Sequence, residues 1–390
     1  MNLKQYIFWA FCFSYISSCQ IDKWDLDDKS NELIPNYSLS LDGLDCTSSF
    51  NTNIFPVGLN SFVTAVESAD NNIKIIKITE TLIDEKWSIK HEVVWDMGRG
   101  ELIGFGKEKN QYYLSFKEND QTEIVKMDSS FNTVSSFKTF EQFIDTSYND
   151  ITSVSFQKMV IDTSDGLYLI GQLSSFSKKY SCLMKMGNDL KPLFVKTYFE
   201  DDTIQSLLPL DRDRFIVLNQ RDDEMALISD NVTGSLYRKY DLTFNESFYG
   251  ANLLQSNGKL YLTGSITSGT GKTIEISLDN KNAFISDVKN YEVLNIASQE
   301  SSRNSVLLSG VTSNGSEKLS FLAEYKDKNY LWCNSYSGFN FIKSLAVTEA
   351  RNVGLVYLFL VESNGSYFLH VLRTDEEGAT IENPFDLNCI

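Results

Sequence analysis

The chain has 390 residues, of which 42% are hydrophobic and 13% aromatic. That is enough apolar material for one large β domain or two ordinary ones, and it excludes bulk disorder. A formal net charge of −17 repels phosphate backbones and argues against nucleic acid as a partner.

The first element is residues 1–18. Lys4 precedes an apolar run, residues 6–13, that is too short for a membrane-spanning helix of about 20 residues. It reads as the apolar region of a signal peptide. Ile16-Ser17-Ser18-Cys19 follows. An aliphatic residue, two small residues and a cysteine resemble the lipobox of bacterial lipoproteins. That resemblance implies cleavage before Cys19, diacylglycerol on its thiol and acylation of the new amino group. Residues 19–45 are then expected to form a lipidated tether, polar and acidic at Asp22, Asp25, Asp27 and Asp28. An acidic stretch just after a lipid-bearing cysteine is similar to the export signal of surface lipoproteins that accompany SusC/SusD-like uptake systems in Gram-negative bacteria. The resemblance implies an outer-membrane, lipid-anchored protein at the cell surface.

Residues 46–390 carry a repeat. In its clearest copy a strand ending in Gly171 is followed by a loop, a strand at residues 182–186, a Gly187-Asn188-Asp189 turn and a third strand at residues 193–199. First strands of the copies end near Val66, Phe116, Gly171, Asn219, Gly264, Gly310 and Val361. That spacing, about 45–55 residues, is the length of a four-stranded propeller blade. Short apolar segments at residues 154–161, 204–210, 250–255, 293–298 and 342–348 precede the phrase and are expected as inner strands. The sequence thus predicts an all-β fold, a seven-bladed β-propeller of four-stranded antiparallel blades. The phrase also resembles bacterial propeller units that place an apolar-Lys-apolar-Asp strand after a strand ending in Gly. Residues 37–42 alternate as a strand and are expected to add to the last blade.

Along the ring, Cys46 lies just before the first blade and Cys389 just after the last, so the two either form a disulfide that closes the ring or stay free thiols. Trp95, between the first two repeats, is the candidate binding-face aromatic. It suits stacking on a sugar, anchoring a protein, or packing between blades. Asp162-Thr163-Ser164-Asp165-Gly166 lacks the later ligands of a calcium loop and reads as a hairpin turn. Cys182 and Cys333 fall in strand patterns and are expected to be small buried hydrophobes. Gly269-Thr270-Gly271-Lys272-Thr273 resembles the end of a P-loop. However, Ile266 stands where its first glycine belongs, and a period-two strand follows instead of a helix, so no nucleotide is expected. His91 and His370 have no partners at metal-ligand spacing, so neither metal nor cofactor is expected. Acidic clusters such as Asp222-Asp223-Glu224 fall at predicted turns. No catalytic residue is assigned.

Three functions fit. The first is a non-enzymatic scaffold or accessory subunit that binds an outer-membrane protein complex, such as a SusC/SusD-like transporter. The second is a surface glycan-binding protein. The third is a polysaccharide hydrolase or lyase.

Overall fold

Apolar residues at every second position, interrupted by Gly, Asn and Asp, favour strands joined by tight turns. The computed structural model describes residues 37–379 and 385–386, apart from residues 85, 120, 139–150, 164–165, 176–177, 201, 223, 232, 234–235, 243–247, 267–269, 280–281, 292 and 315. Residues 1–18, and Cys19 with them, lie outside the described residues. Every regular element described is a β-strand, and the strands form seven antiparallel sheets. The fold is the seven-bladed β-propeller expected from the repeat.

Blades one to six take residues 54–99, 101–138, 151–200, 203–242, 248–291 and 293–336, each with its inner strand first. Blade seven takes residues 340–374 and borrows Tyr37–Cys46 as its outer strand, which pairs antiparallel with Ser366–Thr374. Residues 37–45 therefore belong to the propeller and not to the tether. The ring closes where the inner strand of blade seven, Asn340–Glu349, meets that of blade one, Ile54–Gly58. The second strand of blade five ends at Ile266 and Gly271 opens the third, so Gly271-Lys272-Thr273 of the P-loop-like sequence begins a strand and not a helix.

In all seven blades the register shifts between the inner and second strands. The second and third strands pair without a shift. A bulge adds local twist, and the inner strands need it most because they crowd around the axis. Crowding also explains Gly106 on the inner strand of blade two. A Cβ there would lie 2.3 Å from Ile161 of blade three.

Strands alternate in direction, so in each blade the turn from inner to second strand and the turn from third to outer strand share one face. We call it the lower face. Tyr37 pairs with Arg373 near the end of the third strand of blade seven, so the chain enters the propeller on this face.

The C-terminal chain corrects one expectation. Phe385–Asp386 pairs with Asn334 and Ser335 as a fifth strand on blade six and does not join blade seven. Cys46 is a buried free thiol whose Sγ–H points to the Leu44 carbonyl at 3.7 Å. It forms no bridge to Cys389, which lies outside the described residues. Cys182 is a buried free thiol, as expected, but Cys333 is disulfide-bonded and is not a free hydrophobe. The physical reason is the path of the chain, which returns past blade seven to the edge that carries Cys333. Non-reducing peptide mapping is expected to link Cys333 to Cys389, since the antiparallel register runs from Asp386 opposite Asn334 towards Cys333. A Cys46-containing cross-link would refute that assignment.

Candidate functional site: axis, seam and the hairpin of blade one

Lysines stand on three inner strands. Lys107 of blade two donates to the Pro56 carbonyl of blade one at 3.3 Å. Lys158 of blade three donates to the Ala251 carbonyl of blade five at 2.8 Å. Lys343 of blade seven donates to the Phe50 carbonyl at 3.0 Å. Burial lowers the pKa of all three, that of Lys158 to about 8, and Arg351 adds a smaller repulsion at Lys107. Each ammonium group ties its own blade to main chain outside that blade. Lys158 is the one charged residue of its strand, Ile151–Ile161, and this was a readable signal.

A second set of ties sits at one repeated position, the polar residue inside the apolar third strand. Lys126 of blade two donates to the Asn188 carbonyl of blade three at 2.6 Å and lies over the Tyr113 ring. Lys185 of blade three pairs with Asp162 at 3.0 Å, donates to the Arg212 carbonyl of blade four and lies over the Tyr168 ring. Asp162 is thus an ion-pair partner in the turn predicted for residues 162–166, which the Asp162 N–H closes by donating to the Gly166 carbonyl at 3.0 Å. In blade six Glu324 accepts from Arg303 at 2.6 Å, from Trp332 Nε1 at 2.8 Å and from Ser305.

In blade seven the same position is Arg373, and it lies at the seam. Its Nε donates to Glu80 of blade one at 3.0 Å, and both side chains are 0% exposed. Glu80 also accepts from Tyr37 Oη at 2.6 Å. Arg373 donates further to the Leu355 carbonyl at 3.3 Å and to Asn352. Desolvation outweighs attraction at both ends, so the Glu80 pKa is raised and that of Arg373 lowered. Beside this group, His370 is bonded through Nε2 to Ser38 Oγ at 2.8 Å and through Nδ1 to Ser40 Oγ at 3.0 Å. Phe339 and Phe341 pack on its ring. Burial pulls its pKa down to about 3. His370 is structural, holding the borrowed strand.

Trp95 lies in the outer strand of blade one, Lys86–Arg99, opposite Ile75, and not in a loop between blades. It is half-buried and packs against the core of blades seven, one and two. His91 lies on the same strand opposite Ile78. The Asn72–Ile83 and Lys86–Arg99 strands form the longest hairpin of the ring. Its end carries Leu82 and Ile83, which are 41% and 53% exposed. Among the described residues no group of three or more His, Cys, Asp or Glu is placed to hold a metal ion.

No protein-family model and no curated protein matches the sequence. Among solved structures, the chain is similar to BBS1N in its complex with ARL6DN, with a TM-score of 0.53, 10% identity, and 88% of this chain and 99% of that chain covered. It is also similar to the Dos1 propeller, with a TM-score of 0.47, 12% identity and coverage of 84% and 80%. A protein from Lactobacillus plantarum gives 0.49, 8% identity and coverage of 75% and 86%. At such identities the likeness is one of fold.

Proposed function

We propose that this chain is a non-enzymatic scaffold: a propeller anchored by lipid at Cys19 to the outer membrane, exposed at the cell surface, that serves as an accessory subunit of an outer-membrane protein complex. The observation that carries the reading is the use made of its charged groups. Lys107, Lys158 and Lys343 on the inner strands, and Lys126, Lys185 and Arg373 on the third strands, all bind neighbouring main chain or a buried carboxylate. Side chains near the axis and between blades thus serve rigidity, and a rigid ring suits the display of a surface. A propeller of similar fold, BBS1N, was solved in complex with a protein. The lipobox-like Ile16-Ser17-Ser18-Cys19 supports the anchor, and the acidic residues after it support a partner such as a SusC/SusD-like transporter.

Two experiments test this. Metabolic labelling with a palmitate analogue is expected to mark the wild-type protein and not Cys19→Ala, which should leave the membrane fraction or accumulate as precursor. Equal label on both would remove the anchor. Affinity purification from solubilised membranes is expected to bring down an outer-membrane protein in constant ratio. Turnover of a polysaccharide by the purified chain would replace the scaffold with an enzyme.

A further inference from the structure

We propose that the lower turns of blade one are a second membrane contact, which settles the propeller on the bilayer that holds its anchor. The inference rests on the lipid-anchor reading for the source of that bilayer, and on the structure for the contact.

Leu59, in the turn from the inner to the second strand of blade one, is 58% exposed. Leu82 and Ile83 end the third strand and are 41% and 53% exposed. The Glu80 N–H donates to the Asn60 carbonyl at 2.9 Å, so the pairing continues past Ser61 and brings Leu59 alongside Thr81, next to Leu82. Trp87 pairs with Leu82 across the hairpin and is half-buried. Three large apolar side chains, two of them more than half exposed, therefore share the lower end of one blade with an indole. Indole favours the boundary between headgroups and acyl chains.

Exposed cations flank this end of a molecule whose net charge is −17, and they outnumber Asp84 and Glu85, the two acidic residues between Ile83 and Lys86. Lys86 and Lys90 are exposed on the outer strand, and Arg351 is exposed in the lower turn of blade seven. That turn touches blade one, since Asn352 donates to Asn60 at 2.8 Å. Lys109 lies in the lower turn of blade two and is also exposed, with its ammonium 3.8 Å from the buried Glu108 carboxylate. Apolar tips fringed by lysine and arginine complement a surface of anionic lipid headgroups.

The chain itself says which surface is near. Tyr37 enters on the lower face with its hydroxyl on Glu80, three residues before Ile83. A lipid on Cys19 is thus joined to the patch by residues 20–36 alone. By length alone, 17 residues in the random-coil limit have a root-mean-square span of roughly 20–25 Å, which corresponds to an effective concentration in the millimolar range. A contact too weak to hold the propeller alone is therefore populated once the lipid is inserted.

The test places an environment-sensitive dye on Leu59→Cys, with Phe284→Cys on the outer strand of blade five as control. Cys46 and Cys182 are buried and leave those positions selective. The lipidated chain is reconstituted into phosphatidylethanolamine–phosphatidylglycerol vesicles. The dye at residue 59 is expected to shift to the blue and to be quenched by bromines on the acyl chains, while the dye at residue 284 reports water. Adding Leu82→Ser and Ile83→Ser should lower the membrane-contacting fraction about tenfold without changing the melting temperature. A dye at residue 59 that reports water in a lipidated chain overturns the contact and leaves the anchor standing. A chain that takes no palmitate label loses the anchor. The Cys19→Ala chain with vesicle lipid raised to the millimolar concentration that the anchor would supply then tests the contact by itself: a blue shift supports it and none overturns it. Protection of residue 59 only when another outer-membrane protein is present would also overturn it, because the occupant would then be protein.

Discussion

Arg373→Met is expected to destabilise the whole propeller by about 3–5 kcal/mol, the usual effect of leaving one partner of a buried ion pair alone. The pair sits where the ring closes. Glu80 belongs to blade one, Arg373 to blade seven, and Tyr37, which also binds Glu80, to the borrowed strand. Without the guanidinium, Glu80 keeps one donor in a site closed to water, and it must either stay charged at great cost or take up a proton. The double variant Glu80→Gln, Arg373→Met should lose less than Arg373→Met alone, because no charge is then stranded. Urea unfolding followed by far-ultraviolet circular dichroism measures both. A midpoint shift equivalent to less than about 1 kcal/mol for Arg373→Met would show that the pair does not hold the seam.

Acid is expected to open the same seam through His370. Its folded pKa is about 3, below the usual 6.5. The unfolded chain therefore binds the proton first. The stabilisation is complete above pH 6.5 and is lost as pH falls from there towards 3, at up to about 1.4 kcal/mol per pH unit. At pH 4.5 the loss approaches roughly 2–3 kcal/mol. Protonation would also leave both ring nitrogens as donors, with only hydroxyl partners and the Phe339 and Phe341 rings around them. Glu80 works in the opposite direction, because a raised carboxyl pKa gives stability that declines as pH rises through it. Comparison with His370→Gln separates the two. The variant should be less stable at neutral pH but flatter between pH 6.5 and 4. Parallel curves for the two proteins would clear His370 of the effect.

Much of this molecule is decided within short stretches of chain. A blade is a local object in which each strand pairs with the next, and its faces are apolar because other blades cover them. Period two, glycine-ended strands and Asp-led turns were therefore enough to count seven blades and to place five inner strands. Gly269–Thr273 was legible as a hairpin end for the same reason, since residues on both sides alternate as strands. The Tyr37–Cys46 strand was legible in its first half, residues 37–42, and its place in blade seven follows from the need of the last blade for a fourth strand.

Features that join distant parts of the chain were not legible. The apolar-Lys-apolar strand was visible as a pattern, but only the packed ring shows that Lys126 and Lys185 reach into the next blade and that Arg373 finds Glu80 across the closure. Trp95 was placed between blades by its position in sequence, whereas the long outer strand of blade one carries it against the core. The disulfide was misjudged most. Two chain ends brought together by a ring do not specify a pairing, and a two-residue strand at residues 385–386 carries no pattern to show that it turns back to blade six. The local alternation of residues sets the strands and their number, because pairing within a blade is short-range. Tertiary packing decides the closure, the inter-blade ion pairs and the partner of Cys333. Each of these depends on where a blade's edge meets chain that is hundreds of residues away, or that has doubled back past its neighbour.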